Sequence, residues 1–269
     1  VTLKLLLIPV VIYLAICVLA FALQNRALFP VAAARGGQPL PPRAERLQLT
    51  APDGTRLVGI HLSPGRPDPA MPVILGFGGN GWNADTAAEY LRDLYHGADV
   101  ATFHYRGYAP SGGRPGAAAL LDDSLLVHDF AARHFPGRRI VAIGFSIGSG
   151  LAAHVAARRP VAGAILVTPF DSLTGVAAGH YPWLPVRLLF RNPMEPAEEL
   201  RSARIPVAIL AGGRDSLVPA ERTDALRKAV ANLVYDRSIP GAGHNDIYRA
   251  SAFQQAMRDA LAKVRRVAA

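Results

Sequence analysis

Ser146 stands between two glycines in Gly144-Phe145-Ser146-Ile147-Gly148, where an apolar strand-like run gives way to a small-residue helical run. A serine hydroxyl is a weak nucleophile at neutral pH, so it needs a base beside it and a group that orients the base. The two glycines remove Cβ atoms where a strand turns sharply into a helix, which is the setting an exposed nucleophilic serine requires. The base belongs late in the chain, and His244 in "GAGHND" falls in a loop between the last strand and the last helix. The orienting acid has two candidates at strand ends, Asp215 in "GGRDSLVP" and Asp171 in "TPFDSL". Asp215 is the preferred one, because its Gly-Gly-Arg-Asp turn leads through Val218-Pro219 into a helix that would hold it firmly. Asp246 is read as the cap of the final helix.

A developing oxyanion needs preorganised N–H donors. The backbone N–H of Ile147 supplies one, and the glycine-rich turn "FGGNGWN" supplies the other through Asn80. No G-x-x-x-x-G-K-[ST], H-E-x-x-H, paired-cysteine spacing or G-x-G-x-x-G after the first strand is present. Phosphate-loop, metal and dinucleotide chemistry are therefore not expected, and no cofactor is needed. Arg106 in "YRGY" is expected in a structural ion pair rather than on a substrate anion. His104 is expected to be packed at a strand end. Tyr105 to Tyr108 and Ser111 are expected to shape the loop beside the site.

These residues need a scaffold that collects strand ends. "ERLQLTAP" and "TRLVGIHLSP", joined at Asp53-Gly54, read as a hairpin. Strands are expected at "MPVILGF", "DVATFHY", 139–145, 161–167, 205–211 and 233–238. Helices are expected over 117–135, 147–158, 220–230 and from about 247 to 265, with an irregular stretch over 171–203. Alternating apolar strands and helices give an α/β fold with a mostly parallel sheet covered on both faces. Sites in such sheets form at the carboxyl ends of the strands, where every candidate above lies.

"LLLIPVVIYLAICVLAFAL", residues 5–23, carries no charge and has Lys4 and Arg26 on its flanks. As a helix it spans about 28 Å, close to the hydrocarbon thickness of a bilayer. An uncleaved single-pass anchor is favoured over a cleaved signal at Ala20-Phe21-Ala22. A lipid anchor on Cys17, the only cysteine, is disfavoured by Ile16. Orientation stays open: positive-inside counting and the short N-terminus point in opposite directions. The formal charge is +9, but the basic residues are scattered without a block or an aromatic-interleaved stripe, so no nucleic-acid partner is expected. The Ala/Arg/Gly/Pro-rich usage suits a bacterial chain, and hence an inner-membrane location.

Taken in order, "FGGNGWN", "HYRGYAPSGGRP", "GFSIGSG", "TPFDSL", "YPWLPVRLL", "GGRDSLVP" and "GAGHND" resemble the α/β-hydrolase superfamily, and within it the BEM46-like membrane-anchored serine hydrolases. The resemblance covers residues 45 to 265. It implies Ser146 as nucleophile, Asp215 as acid, His244 as base, and Asn80 and Ile147 as backbone oxyanion donors. The first block of the family usually reads His-Gly-Asn, and Gly78 stands here in place of that histidine. The implied organisation is an anchor or signal peptide over 1–26, a linker over 27–44 and a hydrolase domain over 45–269 with a short lid at 172–203. The expected activity is hydrolysis of a carboxylic ester or thioester with a hydrophobic acyl group, given the apolar lid. A serine peptidase of the same fold and a non-catalytic membrane-anchored binding module are the alternatives.

Overall fold

In the computed structural model, residues 2–34, 41 and 43–267 are described. Most of the "RGGQPLPPR" stretch, residues 35–40 and 42, lies outside them. The chain opens with helix α1 (Thr2–Leu28). β1 (Ala44–Thr50) and β2 (Arg56–Leu62) then form an antiparallel hairpin paired from Ala44↔Leu62 to Thr50↔Arg56. Its turn is closed by the Asp53 carboxylate, which accepts the Thr55 N–H at 2.9 Å, with Gly54 at φ +81°.

Then follow β3 (Val73–Phe77), α2 (Ala84–Leu94), β4 (Val100–Phe103), α3 (Ala117–His134), β5 (Ile140–Phe145), α4 (Ile147–Arg158) and β6 (Gly163–Val167). Three short helices, α5 (Leu173–His180), α6 (Val186–Leu189) and α7 (Pro196–Leu200), break up the stretch expected to be irregular. β7 (Val207–Gly212), α8 (Ala220–Ala229), β8 (Leu233–Ile239), a 3-10 turn (Ile247–Arg249) and α9 (Ser251–Val267) complete the chain.

One eight-stranded sheet runs β1-β2-β4-β3-β5-β6-β7-β8. β2 meets β4 antiparallel, and every pairing from β4 through β8 is parallel. The central strands are buried on both faces, which explains their continuous apolar runs. Their side chains alternate between two cores. Leu75, Phe77, Ala142, Leu166 and Ile209 point to the layer of α3 and α4. Ile74, Val141, Ile143, Ile165 and Leu210 point to the layer of α2 and α9.

α2 is an element that strand-and-turn reading passes over. The Asn83 side chain caps it, accepting from the N–H groups of Asp85 (2.8 Å) and Thr86 (3.4 Å). Ala84, Ala87, Ala88, Leu91 and Leu94 are buried along one stripe. The final helix begins at Ser251, and residues 247–249 form a separate tight turn.

Leu7–Leu28 of α1, with mean hydropathy 2.5, is long and apolar enough to cross a membrane by length and composition. The residues after it, read from sequence as the start of a linker, pack onto the domain: Phe29 and Ala34 are buried in the α3–α4 core. Burying a side chain the size of Phe29 contributes about 2 kcal/mol, enough to hold the helix end in place.

Candidate active site

Ser146 sits on the turn between β5 and α4 with φ 52° and ψ −119°. A non-glycine residue held there stores roughly 1–3 kcal/mol of strain, which the surrounding contacts must offset. The Ser146 N–H donates to Val167 O at 2.9 Å. Its carbonyl accepts from the Ser149 N–H at 2.9 Å and the Ser149 hydroxyl at 2.6 Å. A Cβ on Gly144 would run into the Gly148 backbone, and one on Gly148 would run into the carbonyls of Phe77 and Gly78. Both glycines are therefore required by close backbone approach. That approach sets the first turn of α4 against the loop that follows β3.

His244 is brought to the serine by the loop after β8. Gly243 N–H donates to Asp246 at 2.6 Å, so Asp246 braces this loop and does not cap α9. The imidazole is 7% exposed, with Nε2 2.8 Å from Ser146 Oγ and Nδ1 2.7 Å from Asp215 Oδ2. A carboxylate can only accept, so the proton lies on Nδ1 and Nε2 is free to accept from the serine hydroxyl. Asp215 Oδ1 is fixed by the N–H groups of Leu217 (2.9 Å) and Val218 (2.8 Å). The arrangement can draw the Ser146 proton onto the imidazole and stabilise the cation that results.

Asp171, the other candidate acid, is not part of this chain of hydrogen bonds. One oxygen lies 3.3 Å from Arg222 and the other is buried without a partner. Burial pushes its carboxyl above the usual range, against the pull of Arg222.

The loop after β3 is held from two sides. Tyr105 OH donates to Gly78 O at 2.6 Å, and Tyr108 OH donates to Asn80 Oδ1 at 2.8 Å. Burial raises both phenols above their ordinary range, so both stay protonated donors. The Asn80 side-chain amide donates to the carbonyl of Leu28 at the end of α1. That contact spans 52 residues, and nothing in the local sequence signals it. Ile147 opens α4, and the N–H of a first helical residue has no intrahelical partner.

The remaining polar residues of "HYRGY" serve structure. Arg106 clamps Asp123 (2.7 and 2.6 Å) and Asp53 (2.6 Å). His104 is buried beside Asp85 at 3.2 Å. Although burial opposes it, hydrogen bonds from His104 and Arg46 pull Asp85 down to about 2. Ser111 bridges β2 to the His104 carbonyl. Sequence reasoning missed one cluster: Glu45, His61 and His134 place possible ligand atoms within 4.8 Å of one another. It lies at the hairpin edge of the sheet, and His61 is already bound to Asp99 at 2.9 Å.

Comparison with known proteins agrees with this architecture. Residues 69–192 match the model of the alpha/beta hydrolase fold family. An uncharacterised protein of Mycobacterium tuberculosis is 34% identical over 208 residues, covering 76% of this chain and 74% of its own. The lysophosphatidylserine lipase ABHD12 of Danio rerio is 24% identical over 223 residues, covering 71% of this chain and 58% of its own. Among solved structures, an esterase of Pyrococcus furiosus superposes with a TM-score of 0.66 at 18% identity, covering 85% of this chain and 95% of its own. With its sheet order, its serine turn and a relative above 30% identity all in agreement, the chain belongs to the α/β-hydrolase fold family.

Proposed function

We propose that this chain is a serine hydrolase that cleaves a carboxylic ester or thioester with a hydrophobic acyl group. One observation carries the reading: the continuous hydrogen-bonded line Ser146 Oγ–His244 Nε2, His244 Nδ1–Asp215, on a strained strand-to-helix turn. His244 takes the Ser146 proton as Oγ attacks the carbonyl carbon. The N–H groups of Asn80 and Ile147 receive the oxyanion. The intermediate collapses to an acyl-enzyme as His244 passes its proton to the departing alcohol or thiol. Water then attacks the acyl-enzyme, giving up a proton to His244, and the acid leaves as Ser146 Oγ regains it. Asp215 fixes the imidazole tautomer throughout.

The apolar lid supports a hydrophobic substrate: Tyr181, Trp183 and Leu188 are exposed on it at 52%, 55% and 85%. An esterase and a lysophospholipid lipase among the similar proteins point the same way. The lid carboxylates that could grip a peptide amino terminus are engaged elsewhere. Glu199 faces His154 and Arg158, Glu198 faces Arg201, and Glu195 faces Thr174. α1 is the proposed single-pass anchor, in keeping with its length and hydropathy.

Labelling of the full chain with a fluorophosphonate, beside Ser146→Ala, tests the reading. Labelling of wild type alone supports an activated serine. A folded wild type that stays unlabelled makes the binding-module alternative the better one.

A further inference from the structure

Between α1 and the lid lies a cavity of about 430 Å³, a size within the range of ligand pockets. Ile16, Leu19 and Leu23 of α1 form one wall, and Ala177, Leu184 and Phe190 of the lid form the other. Its one amide side chain, Gln24, is occupied: the amide donates to Leu189 O at 3.0 Å and the oxygen accepts the Arg191 N–H at 2.7 Å, while Tyr181 and Trp183 add aromatic rings with a polar tip. The cavity offers a ligand no charged group and is walled almost wholly by aliphatic and aromatic carbon, so it favours hydrocarbon.

We propose that this cavity is the acyl-chain site, and that the substrate is a membrane-resident lipid ester whose chain slides in sideways from the bilayer. The proposal rests on the hydrolase reading above and specifies where its substrate binds. Two observations identify the occupant. The first is depth. Tyr13 OH donates to Trp183 O at 3.0 Å, and Tyr13 is fifteen residues before Leu28, about 22 Å along the helix. With α1 in the membrane, the lid runs along the span past its middle, and its exposed Leu188, outside the groove, faces lipid. The second is continuity. The cavity ends at Leu28, whose carbonyl holds the Asn80 side chain of the loop assigned to the oxyanion. A chain lying in the groove with its carbonyl end at Leu28 would have that end beside the Asn80 loop.

The test uses the full chain in phospholipid nanodiscs, with p-nitrophenyl butyrate and p-nitrophenyl palmitate as probes. Ala20→Trp and Ala177→Trp each fill the groove from one wall, so misfolding of one leaves the other to decide. Val18→Trp, on an exposed part of α1 outside the groove, is the control. The palmitate-to-butyrate ratio of kcat/KM should fall at least about tenfold in the groove variants and hold in the control. An unchanged ratio in the groove variants, or an equal fall in Val18→Trp, overturns the acyl site while leaving the hydrolase reading intact. A wild type that turns over neither ester and resists fluorophosphonate overturns the hydrolase reading, and the acyl site with it.

Discussion

Two neighbouring strands, β6 and β7, each run into a turn that presents an aspartate, yet the two turns do different things. After β7, Gly212 and Gly213 let the chain press against the histidine loop: a Cβ on Gly212 would lie 2.7 Å from Ala242 O and 3.0 Å from Gly243 O. Asp215 then has one oxygen on two backbone N–H groups and the other on the imidazole. After β6, the turn carries Thr168 at φ 46°, Pro169 and the buried Phe170. Asp171 meets Arg222 of α8, and its backbone carbonyl accepts the Ala197 N–H at 3.1 Å, tying down the lid. A strand-end position alone thus does not bring a carboxylate to the histidine. The turn must also supply backbone donors and let the histidine loop approach.

The largest expected effect breaks the first turn. Asp215→Asn should lower kcat by about 10⁴-fold with the fold intact, because the wrong imidazole tautomer then faces the serine. Asp171→Asn should leave kcat within about threefold, since it touches neither reacting group. Ester turnover paired with circular dichroism decides. The reverse ranking would move the orienting role to the β6 turn.

Gly212→Ala comes next. Its neighbours are backbone oxygens that cannot rotate away, so urea unfolding should show a loss of about 1–3 kcal/mol. The kcat should fall as well, because the strain lands on the residues before His244. A stability loss with unchanged kcat would mean that the histidine loop is positioned independently of the glycine pair.

The pH dependence of stability sharpens the contrast. Burial raises the Asp171 carboxyl, so the folded state holds its proton to higher pH than the unfolded chain does. Stability from this group is greatest below the unfolded value of about 3.9 and falls as pH rises through the raised folded value. Asp171→Asn is neutral at every pH and removes that fall. Urea midpoints at pH 4 and pH 7 should show the variant gaining on wild type at the higher pH. A constant difference would mean that Arg222 cancels the burial completely.

The strand ends were legible in the sequence because parallel strands are buried on both faces, and apolar β-branched runs mark them directly. Ser146 and Asp215 stand out for the same reason, since each follows such a run within two residues of a glycine. His244 instead follows the more polar β8 and is marked by its glycine-flanked loop. α2 was less legible. Its stripe of Ala84, Ala87, Ala88, Leu91 and Leu94 opposes a polar face at helical spacing, but the helix is only eleven residues long and follows directly on the glycine-rich turn. The docking of residues 28–34 was hidden too, because Phe29 and Ala34 find their partners only once the sheet has formed.

At the end of β3 the same question can be asked of the glycine loop, with a smaller expected answer. Gly78 stands where the resemblance leads one to expect histidine. Its backbone is not in the left-handed region, so a side chain is allowed, but a Cβ would lie 3.2 Å from Trp82 Cβ. Trp82 is stacked on Phe145 at 5.1 Å and edged by Tyr248 at 4.9 Å, so it can give only a little. The loop already has its supports: Tyr105 on Gly78 O, Tyr108 on Asn80 Oδ1, and Leu28 O on the Asn80 amide. Gly78→His should therefore leave kcat within about threefold and cost about 1 kcal/mol of stability through crowding at Trp82. Repeating it in Tyr108→Phe makes the test stricter. If the tyrosine supports the loop, that variant alone loses turnover and the histidine restores part of it. A large gain in kcat from Gly78→His in the otherwise native chain would mean that the three existing supports leave the loop loose, and that the missing histidine limits the rate.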